Sequence, residues 1–93
     1  MSLEILLSRK SKKSLKRLEK SGRFDAMVFI KIINLLAQEQ ILPVKNRDHA
    51  LAGEYLGYRE CHMQNDLLLI YRVYEIGQKL FIEDIGSHSE LFG

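Results

Sequence analysis

Three histidines and one aspartate in this 93-residue chain stand where they could do chemistry together: His49, His62, Asp66 and His88. His62 lies near the end of one expected strand, and Asp66 opens the next across a tight turn. Their side chains are therefore expected near one another at one sheet edge. His88 follows a last strand that runs antiparallel to the one opened by Asp66, so it returns to the same end of the sheet. His49 lies in the loop entering this meander, and its placement is the least constrained. The chemistry that suits such a set is transfer at phosphorus without a metal. Cleaving RNA by its own 2′-OH needs a base for that proton and an acid for the 5′-oxygen. Histidine serves as either, because its pKa of about 6.5 leaves both forms populated near neutrality. Asp66 could orient a histidine or act as the base itself. Two other uses of the same residues stay open: solvated side chains at a sheet edge, and a zinc shell of three histidines and an aspartate. No tight ligand spacing supports the zinc shell, and neighbouring Cys61 and His62 point to opposite faces of a strand.

Elements to position these residues are legible along the chain. Leu3 to Leu7 is a short apolar run, expected as a first strand. Ser8 is a suitable N-cap for a helix from Arg9 to Lys20. Its only apolar residues, Leu15 and Leu18, share a face with Ser11, whereas Arg9, Lys10, Lys12, Lys13, Lys16, Arg17 and Lys20 make a broad cationic surface. Ser21-Gly22 closes it. From Phe24 to about Gln40 the chain is apolar on most sides, which predicts a largely buried helix ended by Pro43. Residues 44–54 have no clear period and read as loop. Beyond Gly57 the pattern alternates: Tyr58, Glu60 and His62 on one face, Arg59, Cys61 and Met63 on the other. Gln64-Asn65 is a turn, Leu67 to Val73 reads as a central strand, residues 75–78 form a second turn, and Leu80 to Ile85 is the last strand. Residues 86–93 are a tail folding back. The expected architecture is α+β: two N-terminal helices packed on a small antiparallel sheet, in the order β-α-α-β-β-β.

The size suits one domain over residues 1–93. Its net charge of +2 conceals an asymmetry: residues 1–24 hold eight of the 14 basic residues and two acids, a net +6, which leaves −4 for the remainder. A uniformly basic protein is excluded, but a locally basic docking face is not. The single cysteine, Cys61, cannot form an internal disulfide and is expected in the core. The first residues place apolar positions before charges, the reverse of a signal peptide, and no apolar run approaches the roughly 20 residues of a membrane span. The expectation is a cytoplasmic protein without membrane contact.

Four linked motifs carry a resemblance. Residues 48–53 (DHALAG), 57–62 (GYRECH), 66–71 (DLLLIY) and 86–92 (GSHSELF) resemble, in the right order, the YafQ-type branch of the RelE/ParE toxins. These are the toxin halves of bacterial type II toxin–antitoxin pairs. The resemblance implies a RelE-like fold and an mRNA endoribonuclease that works at the ribosome without a cofactor. The family's catalytic residues match His49, His62, Asp66 and His88, its supporting acid matches Glu60, and its C-terminal aromatic matches Phe92. On that basis His88 is the general acid, His49 or Asp66 the general base, His62 a phosphate holder, and Phe92 a stacking surface. The implied partners are a cognate antitoxin, mRNA and ribosomal RNA, the latter docked on Lys12, Lys13, Lys16 and Arg17, with operator DNA reached only through the antitoxin. Two positions depart from the pattern, Asp84 and Leu67, where relatives often carry Arg and Trp. Electrostatic support would then come from Arg59, Arg72 or Lys79. A homologue that grips antitoxin and RNA without cutting is the alternative; gyrase poisoning, as in other branches, lacks the tail motif's support.

Overall fold

The computed structural model describes residues 2–93. The elements run β1 (Glu4–Leu7), α1 (Arg9–Ser21), α2 (Ala26–Ala37), β2 (His49–Ala50), β3 (Arg59–Gln64), β4 (Leu67–Tyr74), β5 (Lys79–Ser87) and α3 (His88–Phe92), with single 3-10 turns at Val44–Asn46 and Gly53–Tyr55. One five-stranded sheet has the order β1-β5-β4-β3-β2. The β3-β4-β5 meander is antiparallel, as its alternation and turns require. β1 differs from the expected antiparallel arrangement: it lies parallel to β5, pairing Glu4 with Lys79 and Leu7 with Ile82. The sheet is therefore mixed.

α1 begins where Ser8 accepts a hydrogen bond from the Ser11 amide at 2.9 Å. It ends at Gly22, whose φ of 74° is the left-handed conformation glycine adopts without strain. Ser11, Ser14 and Leu18 are its buried face, and the lysines lie outside. α2 is capped by Asp25, which accepts from the amides of Met27 and Val28. It stops at Ala37, earlier than its hydrophobic run suggests and six residues before Pro43. Gln38 donates its amide back to Asn34, and Glu39, which takes a φ of 58°, donates its amide to Leu36. Nor is α2 buried all round. Phe29, Ile32, Leu36 and Ala37 face the core, whereas Met27 and Ile30 are 73% and 45% exposed. A periodicity of 3.6 survives beneath a nearly continuous apolar composition.

The core lies between the two helices and one face of the sheet, around Leu18, Phe29, Ile32, Leu36, Cys61, Leu69, Tyr71, Leu80, Ile82 and Ile85. β4 is buried on both faces from Leu67 to Tyr71. At β5 the register shifts, with Ile70 opposite Asp84 and Tyr71 opposite Ile82. Beside this bulge Asp84 is buried. Its Oδ1 accepts from the Ser14 hydroxyl at 2.6 Å and from the Ile85 amide at 2.8 Å. The carboxylate thus fastens α1 to the last strand. Removing it strands two buried donors, each costing about 1–3 kcal/mol. Asp84→Ala should lower stability by roughly 2–4 kcal/mol, whereas Asp84→Asn, which keeps an acceptor, should lose less. Urea denaturation would show this as a lower midpoint at unchanged slope; a wild-type midpoint for the alanine variant would remove this role.

Candidate functional site

Register decides which side chains share a face. Residues opposite one another in adjacent strands point the same way, and alternation carries that face along each strand. His49 pairs with Glu60 through β2, and Glu60 with Ile70. One step along, His62 pairs with Leu68, and Leu68 with Gly86. His49, Glu60 and His62 therefore share the face opposite the helical core.

The His49 Nε2 lies 3.5 Å and the His62 Nε2 3.8 Å from the same oxygen, Glu60 Oε1. Glu60 is buried and the two imidazoles are partly exposed. His49 is further held at Nδ1, 2.7 Å from the Arg47 carbonyl. A carbonyl only accepts, so Nδ1 carries the hydrogen. Arg47 turns the chain back with a left-handed φ of 47°, and the two residues of β2 follow. This short strand, within the expected loop, is what gives His49 a defined place.

His88 opens α3, and the Leu67–Ser87 pairing sets Asp66 beside it in the backbone. Phe92, one turn on, has its ring 5.1 Å from that of His88 and 5.7 Å from that of Tyr55. The Asp66 side chain lines a different cleft, of about 570 Å³, together with Arg17, Arg23 and Glu90. The structure thus gathers His49, Glu60 and His62 in one cluster and His88 with Phe92 in a second, with Asp66 at the β3–β4 turn. Among the described residues, no group of three or more His, Cys, Asp or Glu side chains is arranged to hold a metal ion.

The candidate cations separate. Arg59 lies on the opposite face, bonded to Asp48 at 3.2 Å beside Tyr71, whose hydroxyl donates to the same Asp48 oxygen at 2.5 Å. Arg72 lies on the histidine face, stacked 5.5 Å from the Tyr58 ring centre and 5.0 Å from that of Tyr74. Lys79 pairs with Glu4. On α1, Lys12, Lys13 and Lys16 are exposed, whereas Arg17 bridges to Glu90 at 3.1 Å. Cys61, between Glu60 and His62 in sequence, points into the core with no exposure, and burial pushes its thiol up to about 12.

Glu90 is not among the residues that the sequence pattern marks for chemistry, although the S-x-x-E spacing of Ser87 and Glu90 is a capping-box signature. The box is complete: Ser87 accepts from the Glu90 amide, and Glu90 accepts from the Ser87 amide at 2.8 Å. Gly86 permits the tail's return, since a Cβ there would lie 3.1 Å from Glu90 Oε1 and 3.5 Å from Leu91. Tyr55 escapes sequence reasoning as well, because no periodicity marks residues between elements.

A mixed five-stranded sheet with two helices on one face and the His49–Glu60–His62 cluster on the other defines a small α+β protein with an imidazole-bearing sheet face. The model of the family described as "Bacterial toxin of type II toxin-antitoxin system, YafQ" matches residues 3–93, and the chain belongs to that family. It is similar to a metal-bound toxin from Helicobacter pylori, at 46% identity and a TM-score of 0.91 over 97% of this chain and 99% of that one. The toxin of the Escherichia coli DinJ-YafQ toxin-antitoxin complex is similar over the whole of both chains, at 31% identity and a TM-score of 0.87. The mRNA interferase toxin YafQ of Escherichia coli K12 is 40% identical over 52 residues, which are 56% of this chain and 54% of that protein. The matched region thus spans about half the length of the curated relatives. The resemblance seen in residues 48–92 extends over nearly the whole chain.

The tail carries a pH dependence. The Ser87 amide, and then its hydroxyl and Arg17, hold the Glu90 carboxyl below its ordinary 4.5. Folding therefore favours the ionised form. Its contribution is complete above 4.5 and is lost as pH falls through the depressed value. Leu91 methyl resonances should shift as pH drops below 4.5 in the wild type and stay nearly flat in Glu90→Gln, which keeps the box without the titration. Invariant wild-type resonances would show that Glu90 does not hold the tail.

Proposed function

We propose that the chain is the endoribonuclease toxin of a type II toxin–antitoxin pair, cleaving mRNA by attack of the RNA's own 2′-hydroxyl. The observation that carries this reading is the pair of imidazoles, His49 and His62, converging on one buried carboxylate oxygen of Glu60. The names borne by relatives, an mRNA interferase toxin and a toxin in complex with its antitoxin, support it.

In this reading His49 removes the 2′-OH proton. The resulting 2′-oxygen bonds to phosphorus, the bond from phosphorus to the 5′-oxygen breaks, and His88 donates the proton that oxygen needs. The products are a 2′,3′-cyclic phosphate and a 5′-hydroxyl. His49 is favoured over Asp66 as base, because the Arg47 carbonyl holds its Nδ1–H and leaves Nε2 as the basic nitrogen, with Glu60 beside it to stabilise the imidazolium that forms; it also shares a face with His62, whereas Asp66 lines the Arg17 cleft. His62 holds the scissile phosphate, and Glu60 orients both imidazoles. Phe92 shapes the pocket against His88. Arg72, on this face, is better placed than Arg59 to support developing charge.

The antitoxin is the protein partner, mRNA and the ribosome are the nucleic-acid partners, and operator DNA is reached through the antitoxin complex. No helix in the described residues is long and apolar enough to cross a membrane, and a cytoplasmic site of action follows from the proposed substrate.

Purified protein incubated with RNA in EDTA, with and without ribosomes, should leave 5′-hydroxyl and 2′,3′-cyclic phosphate ends. His88→Ala should slow cleavage on the order of 10²–10⁴-fold. Intact RNA under both conditions would leave a binding homologue, and cutting abolished by EDTA alone would restore a metal-dependent mechanism. The exposed face of α1 adds a second expectation. Replacing Lys12, Lys13 and Lys16 by alanine should weaken ribosome binding and make its salt dependence shallower, by about 0.7–0.9 in log–log slope for each phosphate left without its lysine. An unchanged slope would leave those lysines as a solvated face.

A further inference from the structure

Aromatic side chains, linked at one point by a guanidinium, run from His88 across the histidine face of the sheet. The Phe92 ring lies 5.1 Å from His88 and 5.7 Å from Tyr55. Tyr55 lies 6.0 Å from Tyr58, edge to face. The Arg72 guanidinium then sits over Tyr58 at 5.5 Å and over Tyr74 at 5.0 Å. None of these side chains is fully buried, and Phe92 and Tyr74 are 39% and 40% exposed. The core does not require this set: its members are absent from the apolar cluster beneath the helices. Gly57 leaves room for Arg72 here, because a Cβ at that position would lie 3.2 Å from the guanidinium carbon.

We propose that this stripe is a binding track for single-stranded RNA, taking the nucleotides on the 3′ side of the scissile phosphate. Partly exposed rings with a cation stacked among them suit unpaired bases, since every base offers a face to stack on and the guanidinium answers the backbone charge. Duplex RNA hides its bases and cannot use such a surface. The polarity rests on the proposed function above. His88 protonates the 5′-oxygen of the departing strand, so the first nucleotide after the cut lies beside His88 and Phe92. The following ones reach Tyr55, Tyr58 and the Arg72–Tyr74 stack.

The test has two arms. In the first, a ten-nucleotide RNA methylated at every 2′-OH and carrying 2-aminopurine is titrated with protein. Its fluorescence should be quenched by wild type. Tyr55→Leu, Tyr74→Leu and Arg72→Gln should each weaken binding roughly tenfold. The leucine variants keep apolar bulk at partly exposed positions, and matching thermal melts verify their fold. In the second arm, at a cut mapped in unmodified RNA, trimming nucleotides 3′ of the cut should raise KM for wild type, whereas trimming 5′ should not. Unquenched probe, or variants that bind as wild type does, overturn the track even if RNA is cut. A KM that responds only to 5′ trimming overturns its polarity. Quenching that depends on the three side chains, in a protein that cuts nothing, keeps the track and removes the catalytic reading instead.

Discussion

The dryness of β4 constrains everything else. From Leu67 to Tyr71 both faces of this strand are buried, so it has to lie in the middle of the sheet, with β3 on one side and β5 on the other. Once it is central, its ladders set the candidate site residue by residue. Leu68 ties His62 to the Gly86 row, and Ile70 ties Glu60 to the Asp84 row. A slip of one residue on β3 would turn Glu60 and His62 toward the helices and Cys61 and Met63 toward solvent. The cost of moving a carboxylate and an imidazole in among the apolar core side chains, away from their partners, forbids that alternative. The chemistry-bearing face is thus a by-product of the hydrophobic one.

Two carboxylates flank Ile70 across the sheet, and they are treated differently. Asp84 is bonded at normal hydrogen-bond length to a hydroxyl and an amide, so its charge is absorbed by the attachment of α1. Glu60 has imidazole nitrogens at 3.5 and 3.8 Å, close enough for attraction yet longer than a good hydrogen bond. This bears on the position where relatives often carry Arg. Asp84 joins α1 to β5 inside the fold, so its negative charge is not a free opponent of an RNA phosphate.

What could be read in the sequence was local. The Ser11–Leu15–Leu18 stripe, the continuous run of β4 and the alternation of β3 are patterns within one element, and each formed as expected. The parallel pairing of β1 with β5 joins residues 75 apart, as in Lys79 and Glu4, and no periodicity encodes it. β2 was illegible for a related reason. Two residues make no pattern, and their strand character comes entirely from their partners Glu60 and Arg59. His49 was therefore the least constrained candidate, and it is one of the two imidazoles that the sheet brings to Glu60. Arg59 and Arg72 looked alike as cations, but strand alternation sends them to opposite faces, and Asp48 then claims Arg59.

The tail shows how a five-residue helix can hold a position it could not hold alone. Isolated helices shorter than about 12–15 residues are marginal in water, and an exposed ion pair such as Arg17–Glu90 is worth about 0–1 kcal/mol. Neither term orders His88–Phe92 by itself. Three weak constraints coincide at Glu90: the reciprocal cap with Ser87, the bridge to α1, and the close approach that Gly86 allows. Phe92 packs against Tyr55 at the far end. Because the constraints share residues, removing one weakens the others, and the tail should be ordered or released as a unit. The basic N-terminal helix is therefore joined to the tail as well as to the sheet. Through Arg17 it also sets the C-terminal segment on which His88 is carried.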